Sequence, residues 1–176
     1  MKRESELIHK TSCLPMYWEG FAAIEPVLAK SSLCADVMCS LRDMIVHPPE
    51  KINLDLLKGD FQEILEWAHN EYLEKDKGSF STGLWLEVAK VAEFGAKKYA
   101  IGGYLQGMSL KVIFESMARH ILKYYGGQTF DDESSLDHLA HVCANALIAI
   151  ELININNLTF ELAPKDGEDD DIINES

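Results

Sequence analysis

In the C-terminal half of the chain, Glu133, Asp137, His138, His141 and Asn145 recur at spacings of three or four residues, beside the apolar positions Leu136, Leu139, Ala140, Cys143, Leu147 and Ile150. On one helix starting after Asp131-Asp132-Glu133, that spacing gathers the polar groups on a single face. Carboxylate oxygens and neutral imidazole nitrogens are the donors a divalent ion takes, and a helix presents them together without ordering a loop. The ordinary alternative is a solvated polar face with a helix cap. Two histidines, with an acid one turn earlier and an amide one turn later on an otherwise apolar helix, favour the ligand row.

Glu87 is a second candidate because it sits beside an apolar stripe, with Leu84 three residues before it and Val91 four after. A carboxylate placed there is costly unless a cation or donors meet it, so metal ligation is one reason for it and an ion pair with Lys90 is the other. Glu93 groups instead with Lys90 and Lys97 on the outer face. Lys97, Lys98, Arg119 and His120 lie near helix ends, where they suit the phosphates of a metal-bridged substrate, although lysines there also complement the helix dipole and Arg119 can pair with Glu115. His120 shares a stripe with Ile113, Met117 and Tyr124. The Glu63-x-x-Glu66 pair points partly away from its apolar stripe, and solvent exposure is the default for it. The chain has no GxxxxGK[ST] loop, no GxSxG elbow and no zinc spacing of Cys and His.

Helices must position these groups, since proline and glycine divide the chain into helical blocks and no segment shows sustained strand alternation. Residues from about Tyr17 to Val46 read as one or two helices closed by His47-Pro48-Pro49. A second block, with Asp60 as a possible cap, carries Phe61, Ile64, Leu65, Ala68 and Tyr72 on one stripe and ends near Lys77-Gly78. A third runs from Thr82 to Tyr99 with Leu84, Val88, Val91, Ala92 and Gly95 inward; a fourth begins at a Ser109 cap and ends at Tyr125-Gly126-Gly127. The fifth is the ligand-row helix, fading beyond Asn154 into the acidic end PKDGEDDDIINES, which holds too little apolar content to order. The predicted fold is all-α: a four-helix bundle over residues 53–155, an N-terminal helical extension over 1–52, and an acidic tail over 156–176.

With 47% hydrophobic residues the 176-residue chain can bury a sizeable core. A net charge of −13 and a pI near 4.8 exclude bulk nucleic acid and anionic lipid surfaces as partners, while metal ions can still bridge carboxylates to a nucleotide. Cys13, Cys34, Cys39 and Cys143 form no Cys-x-x-Cys pair, which predicts reduced thiols. With no membrane span and no signal-peptide core at MKRESELIHK, a cytoplasmic location is expected.

The segments LEVAKVAEFGAKKYA, GMSLKVIFESMARHILKYYGG and DDESSLDHLAHVCANALIAIEL, occurring in that order, resemble the phage dATP/dGTP diphosphohydrolases among the all-α, MazG-like nucleotide pyrophosphohydrolases. The resemblance implies hydrolysis of a deoxypurine triphosphate to its monophosphate and pyrophosphate, with Mg2+ or Mn2+ as cofactor. In a phage whose genome replaces adenine, such an activity would deplete dATP and dGTP from the host cytoplasm. Glu87, Glu133, His138, His141 and Asn145 match motif positions of the family, as do Gly95, Lys98, Tyr99, Arg119 and His120. Asp137 stands where the family commonly has proline, Tyr104 and Leu110 where it has tryptophan, and Gln128 where it has glutamate. The expected arrangement has metal held by Glu87, Glu133, Asp137 and His141. A metal-bound water attacks the α-phosphorus, His138 or His120 moves a proton, and Lys97, Lys98, Tyr99, Arg119 and Asn145 contact the substrate. The partner is a deoxypurine triphosphate, and a homo-oligomer, dimer or tetramer, is expected. A phosphoribosyl-ATP-type pyrophosphohydrolase and a non-catalytic helical metal-binding module are the alternatives.

Overall fold

Five α-helices form among the residues that the computed structural model describes, 32–46, 51–75 and 82–160. They are α1 (Ser32–Val46), α2 (Leu54–Lys75), α3 (Thr82–Tyr99), α4 (Leu110–Tyr125) and α5 (His138–Asn154). The helix expected from Tyr17, the His47-Pro48-Pro49 break, the Lys77-Gly78 end, Cys13, the side chain of Cys34 and the acidic tail lie outside the described residues. The all-α expectation holds.

Helix α5 is the centre. Its sequence, HLAHVCANALIAIELIN, is apolar on nearly every side, and a helix of that kind is stable only when neighbours surround it. It lies against α2, α3 and α4, and α1 packs over α2 and α4. Leu139, Ala140, Val142, Cys143, Ala146, Ala149 and Leu152 are wholly buried along it, meeting Phe61 and Ile64 of α2, Leu84 of α3 and Ile113, Met117 and Ile121 of α4 in one core. Val37, Met38 and Leu41 of α1 enter the same core. Burial pushes the Cys143 thiol up to about 12, as suits an inert buried cysteine.

Local signals set most helix ends. The Ser109 hydroxyl accepts the Val112 amide and caps α4 as the sequence predicts. Helix α2 starts earlier than its Asp60 cap would allow, because Asn53 accepts the amides of Asp55 and Leu56 at 3.1 and 3.2 Å. Helix α5 starts later than expected, at His138 rather than after Glu133. The Asp131 carboxylate accepts the amides of Glu133 and Ser134, Ser135 adopts a left-handed φ of 58°, and Asp137 caps the helix by accepting the Leu139 amide at 2.9 Å. These local bonds outcompete a helical turn over 131–136.

A short parallel pair of strands, absent from the sequence reading, joins β1 (Met108–Ser109) to β2 (Leu158–Thr159), with Met108 opposite Leu158. A 3-10 turn at Gly103–Gln106 leads into it, and the Asn157 side chain donates to the Leu105 carbonyl at 2.7 Å. Gly107, at φ 104°, lies so close that a Cβ would meet the Asn157 carbonyl at 3.2 Å. The pair ties the chain after α5 to the start of α4. No helix among the described residues is long and apolar enough to cross a membrane.

Because Leu139 is fully buried at the centre of the bundle, Leu139→Ala should lower the unfolding free energy by about 2–5 kcal/mol. Leu56→Ala, at a position 61% exposed, should change it by less than about 0.5 kcal/mol. Denaturant titration of both variants checks the contrast; equal losses would contradict this placement of the core.

Candidate metal centre

The stripe Ile113, Met117, His120 and Ile121 of α4 faces α5, so an imidazole is carried into the core by the same periodicity that buries its apolar neighbours. Across from it, His138 and His141 occupy the first turn of α5, one turn apart and on the same side. His120 Nδ1 lies 2.8 Å from His138 Nδ1, and the His120 and His141 rings stack with centroids 4.3 Å apart and 5° between planes. His120, His138 and His141 are all buried.

The turn before α5 brings in the acid. Asp131 Oδ2 accepts the Ser134 amide and hydroxyl, each at 3.1 Å, and that hydroxyl also lies 2.7 Å from His141 Nε2. Ligand atoms of His120, Asp131 and His138 all lie within 4.8 Å of one another. Three lysines from three helices hold the turn: Lys75 of α2 bonds Asp137 at 2.6 Å, Lys98 of α3 pairs with Glu133, and Lys123 of α4 bonds Asp132 at 3.1 Å.

Burial pushes the His120 imidazole down to about 2, with His141 and Arg119 nearby acting in the same direction, and burial likewise lowers His138 and His141. Burial would raise Asp131, but the Ser134 amide and the neighbouring imidazoles hold its carboxyl at about 2. Near neutral pH the cluster therefore presents neutral imidazoles beside a carboxylate, the protonation state that binds a divalent ion. One further atom fits such a group. His138 Nε2 is buried and has no hydrogen-bond partner among the described residues. Whichever of the facing Nδ1 atoms carries the proton, one ring nitrogen of His138 stays unsatisfied unless an ion or water meets it.

The structure brings some of the sequence-predicted residues together and separates others. His120, His138 and His141 come together as described. Glu133 does not share the face of His141, because it lies in the turn and pairs with Lys98. Glu87 bonds Lys90 at 2.6 Å and lines a cleft with Asp137, whose own oxygens take Lys75 and the Leu139 amide. Lys97 pairs with Glu93 on the outside, and the Lys98 ammonium sits 5.4 Å from the centroid of the half-exposed Tyr99 ring. Asn145 donates to the His141 carbonyl at 2.8 Å, and Arg119 reaches the Ser116 hydroxyl at 3.5 Å. Glu63 and Glu66 are exposed. Asp131 and Ser134 were not singled out from the sequence. An Asp followed by Ser at the third position is a turn signature that competes with a helix, and that signal could have found them.

The depressed histidines make the metal-free chain acid-sensitive. Below the ordinary imidazole pKa of 6.5 the unfolded chain takes up protons that folded His120 refuses down to about 2, so stability falls as pH drops from neutral. With chelator present, the melting temperature should decline from pH 7 to about 5, and His120→Gln should flatten that decline. A parallel slope in the variant would contradict the buried, neutral assignment.

Residues 51–160 match the family model described as dATP/dGTP diphosphohydrolase, N-terminal. A protein of Salmonella phage PMBT28 named dATP/dGTP diphosphohydrolase is 31% identical over 68 residues, covering 39% of this chain and 23% of the phage protein. The chain thus aligns with about a quarter of that relative's length. No solved structure matches. The matched span contains α2 to α5, the Asp131 turn and all three clustered histidines, and the chain belongs to the dATP/dGTP diphosphohydrolase N-terminal family.

Proposed function

We propose that the chain hydrolyses deoxypurine triphosphates, dATP and dGTP, to the monophosphate and pyrophosphate. The observation that carries this reading is the convergence of His120, His138 and Asp131, from α4, α5 and the turn between them, inside the span that matches the family. Water adds at the α-phosphorus, and the bond from that phosphorus to the oxygen bridging the α- and β-phosphates breaks.

His120, His138 and Asp131 are the residues that would hold a divalent metal, a set distinct from the Glu87, Glu133, Asp137 and His141 read from spacing alone. Such an ion supplies Lewis acidity and an acidified water. Two imidazoles and one carboxylate suit Mn2+ and other first-row ions better than Mg2+, which prefers oxygen ligands. The Ser134 hydroxyl bridges His141 Nε2 and Asp131 Oδ2, so a proton can pass between imidazole and carboxylate through it. Lys98 and Lys123 border the same turn, Arg119 lies near His120 and His141, and all three meet phosphate charge as the substrate approaches. Burial of His120, His138 and His141 strengthens the interactions these rings make by excluding water.

In a phage whose genome carries a modified purine, this activity removes the two competing deoxypurine triphosphates. A homo-oligomer is part of the same proposal, and the exposed Trp85 and Leu86 on α3 offer apolar surface for it.

Purified chain should release pyrophosphate from dATP and dGTP with Mn2+ and lose that activity in chelator. His138→Ala should weaken Mn2+ binding by more than the about 10–100-fold that changes outside the ligand set produce, measured by calorimetry. Pyrophosphate release unaffected by chelator and by His138→Ala would refute the proposal.

A further inference from the structure

A cleft of about 460 Å³ lies between α2, α3 and residues 130–137. That volume falls in the range of small-molecule sites, about 300–1,000 Å³. Its charges cancel in pairs. Glu87 bonds Lys90 and Asp137 bonds Lys75, each at 2.6 Å, so two ammonium groups face two carboxylates and no surplus positive charge remains to attract a triphosphate. The remaining chemistry is aromatic and edge-polar. Phe130 lines the cleft 58% exposed, which is unusual for a ring whose backbone is fixed by a bridge to Asp137, and the nearly buried Tyr72 lines it too. The Lys75 ammonium lies 5.7 Å from the Phe130 centroid, a cation already resting near the ring.

Backbone geometry links this cleft to the histidines. Phe130 and Asp137 form an antiparallel bridge, and the residue after each of them, Asp131 and His138, belongs to the candidate metal centre. Consecutive Cα atoms are about 3.8 Å apart. The cleft lining and the candidate centre are therefore consecutive along the chain at both ends of the bridge, within the length of a single nucleotide.

We infer that this cleft seats the base of the nucleotide, with the exposed Phe130 ring as its stacking surface and the paired Glu87 and Lys90 at its edge. A planar, uncharged heterocycle fits a neutral, aromatic cleft where a polyphosphate does not, and every base has a face that can stack. The inference rests on the nucleotide-hydrolase reading for the identity of the ligand.

The test measures equilibrium binding of dATP and, separately, of inorganic tripolyphosphate to the full chain in chelator, for the parent, Phe130→Ala and Phe130→Tyr. Phe130→Ala should weaken dATP binding by about tenfold or more and leave tripolyphosphate binding unchanged, while Phe130→Tyr should bind dATP like the parent. Since Phe130 is largely exposed, all three should melt at similar temperatures. Equal dATP binding by Phe130→Ala and the parent overturns the inference, as does an equal loss of tripolyphosphate binding or no dATP binding by the parent. If no pyrophosphate is released from any nucleotide yet Phe130→Ala selectively loses dATP, the hydrolytic reading fails and the base site stands. If hydrolysis proceeds and Phe130→Ala binds dATP normally, the base site fails alone.

Discussion

Burying α5 on nearly every side is the constraint from which the rest of this structure follows. Its central and C-terminal turns meet the condition with alanine, leucine and cysteine, but its first turn carries His138 and His141 into the same enclosed space. A charged imidazole there would be strongly disfavoured, so the rings remain neutral, and each polar atom then needs a partner. His120 meets His138, while Ser134 joins His141 to Asp131, so five side chains partner one another at one helix end. His138 Nε2 is left without a partner among the described residues, and ligand atoms of His120, Asp131 and His138 gather within 4.8 Å of one another, so a packing problem becomes a donor set.

Much of the helical frame was legible because it is local. Thr82–Tyr99 and the Ser109-capped helix ending at Tyr125 appear where periodicity and capping put them, and the Glu93–Lys97 pair follows from helical spacing. The cluster was half legible. His120 attracts notice on an apolar stripe and His138 and His141 on a polar row of an otherwise apolar helix, yet which imidazole faces which depends on how α4 packs on α5, and a single sequence does not contain that. Extending the helical period back through Glu133 placed an acid on the His141 face, whereas the acid that arrives is Asp131, delivered by a turn. Local hydrogen bonds of Asp131 and the left-handed Ser135 decide this, against helical periodicity. Glu87 had two readings in the sequence, and its bond to Lys90 is the shorter-range one.

Residues 128–137 do two things with one backbone. The bridged residues Phe130 and Asp137 line a cleft, and the residues that follow them, Asp131 and His138, belong to the candidate metal centre. Asp137 illustrates the economy: it caps α5, receives Lys75 and borders the cleft at once. A proline at that position could not offer the carboxylate for any of these.

The three lysines that hold this turn come from three different helices of the bundle, α2, α3 and α4. Ionic links of this partly exposed kind are screened over about 8 Å at physiological ionic strength, whereas oil-like packing is strengthened by many salts. Rising electrolyte should therefore loosen residues 131–137 while α2 to α5 remain assembled, so the opening of this segment and the melting of the bundle are separable events. Among abundant polyanions the same lysines would exchange loop carboxylates for external phosphate, making the segment's order a gauge of nearby phosphate charge.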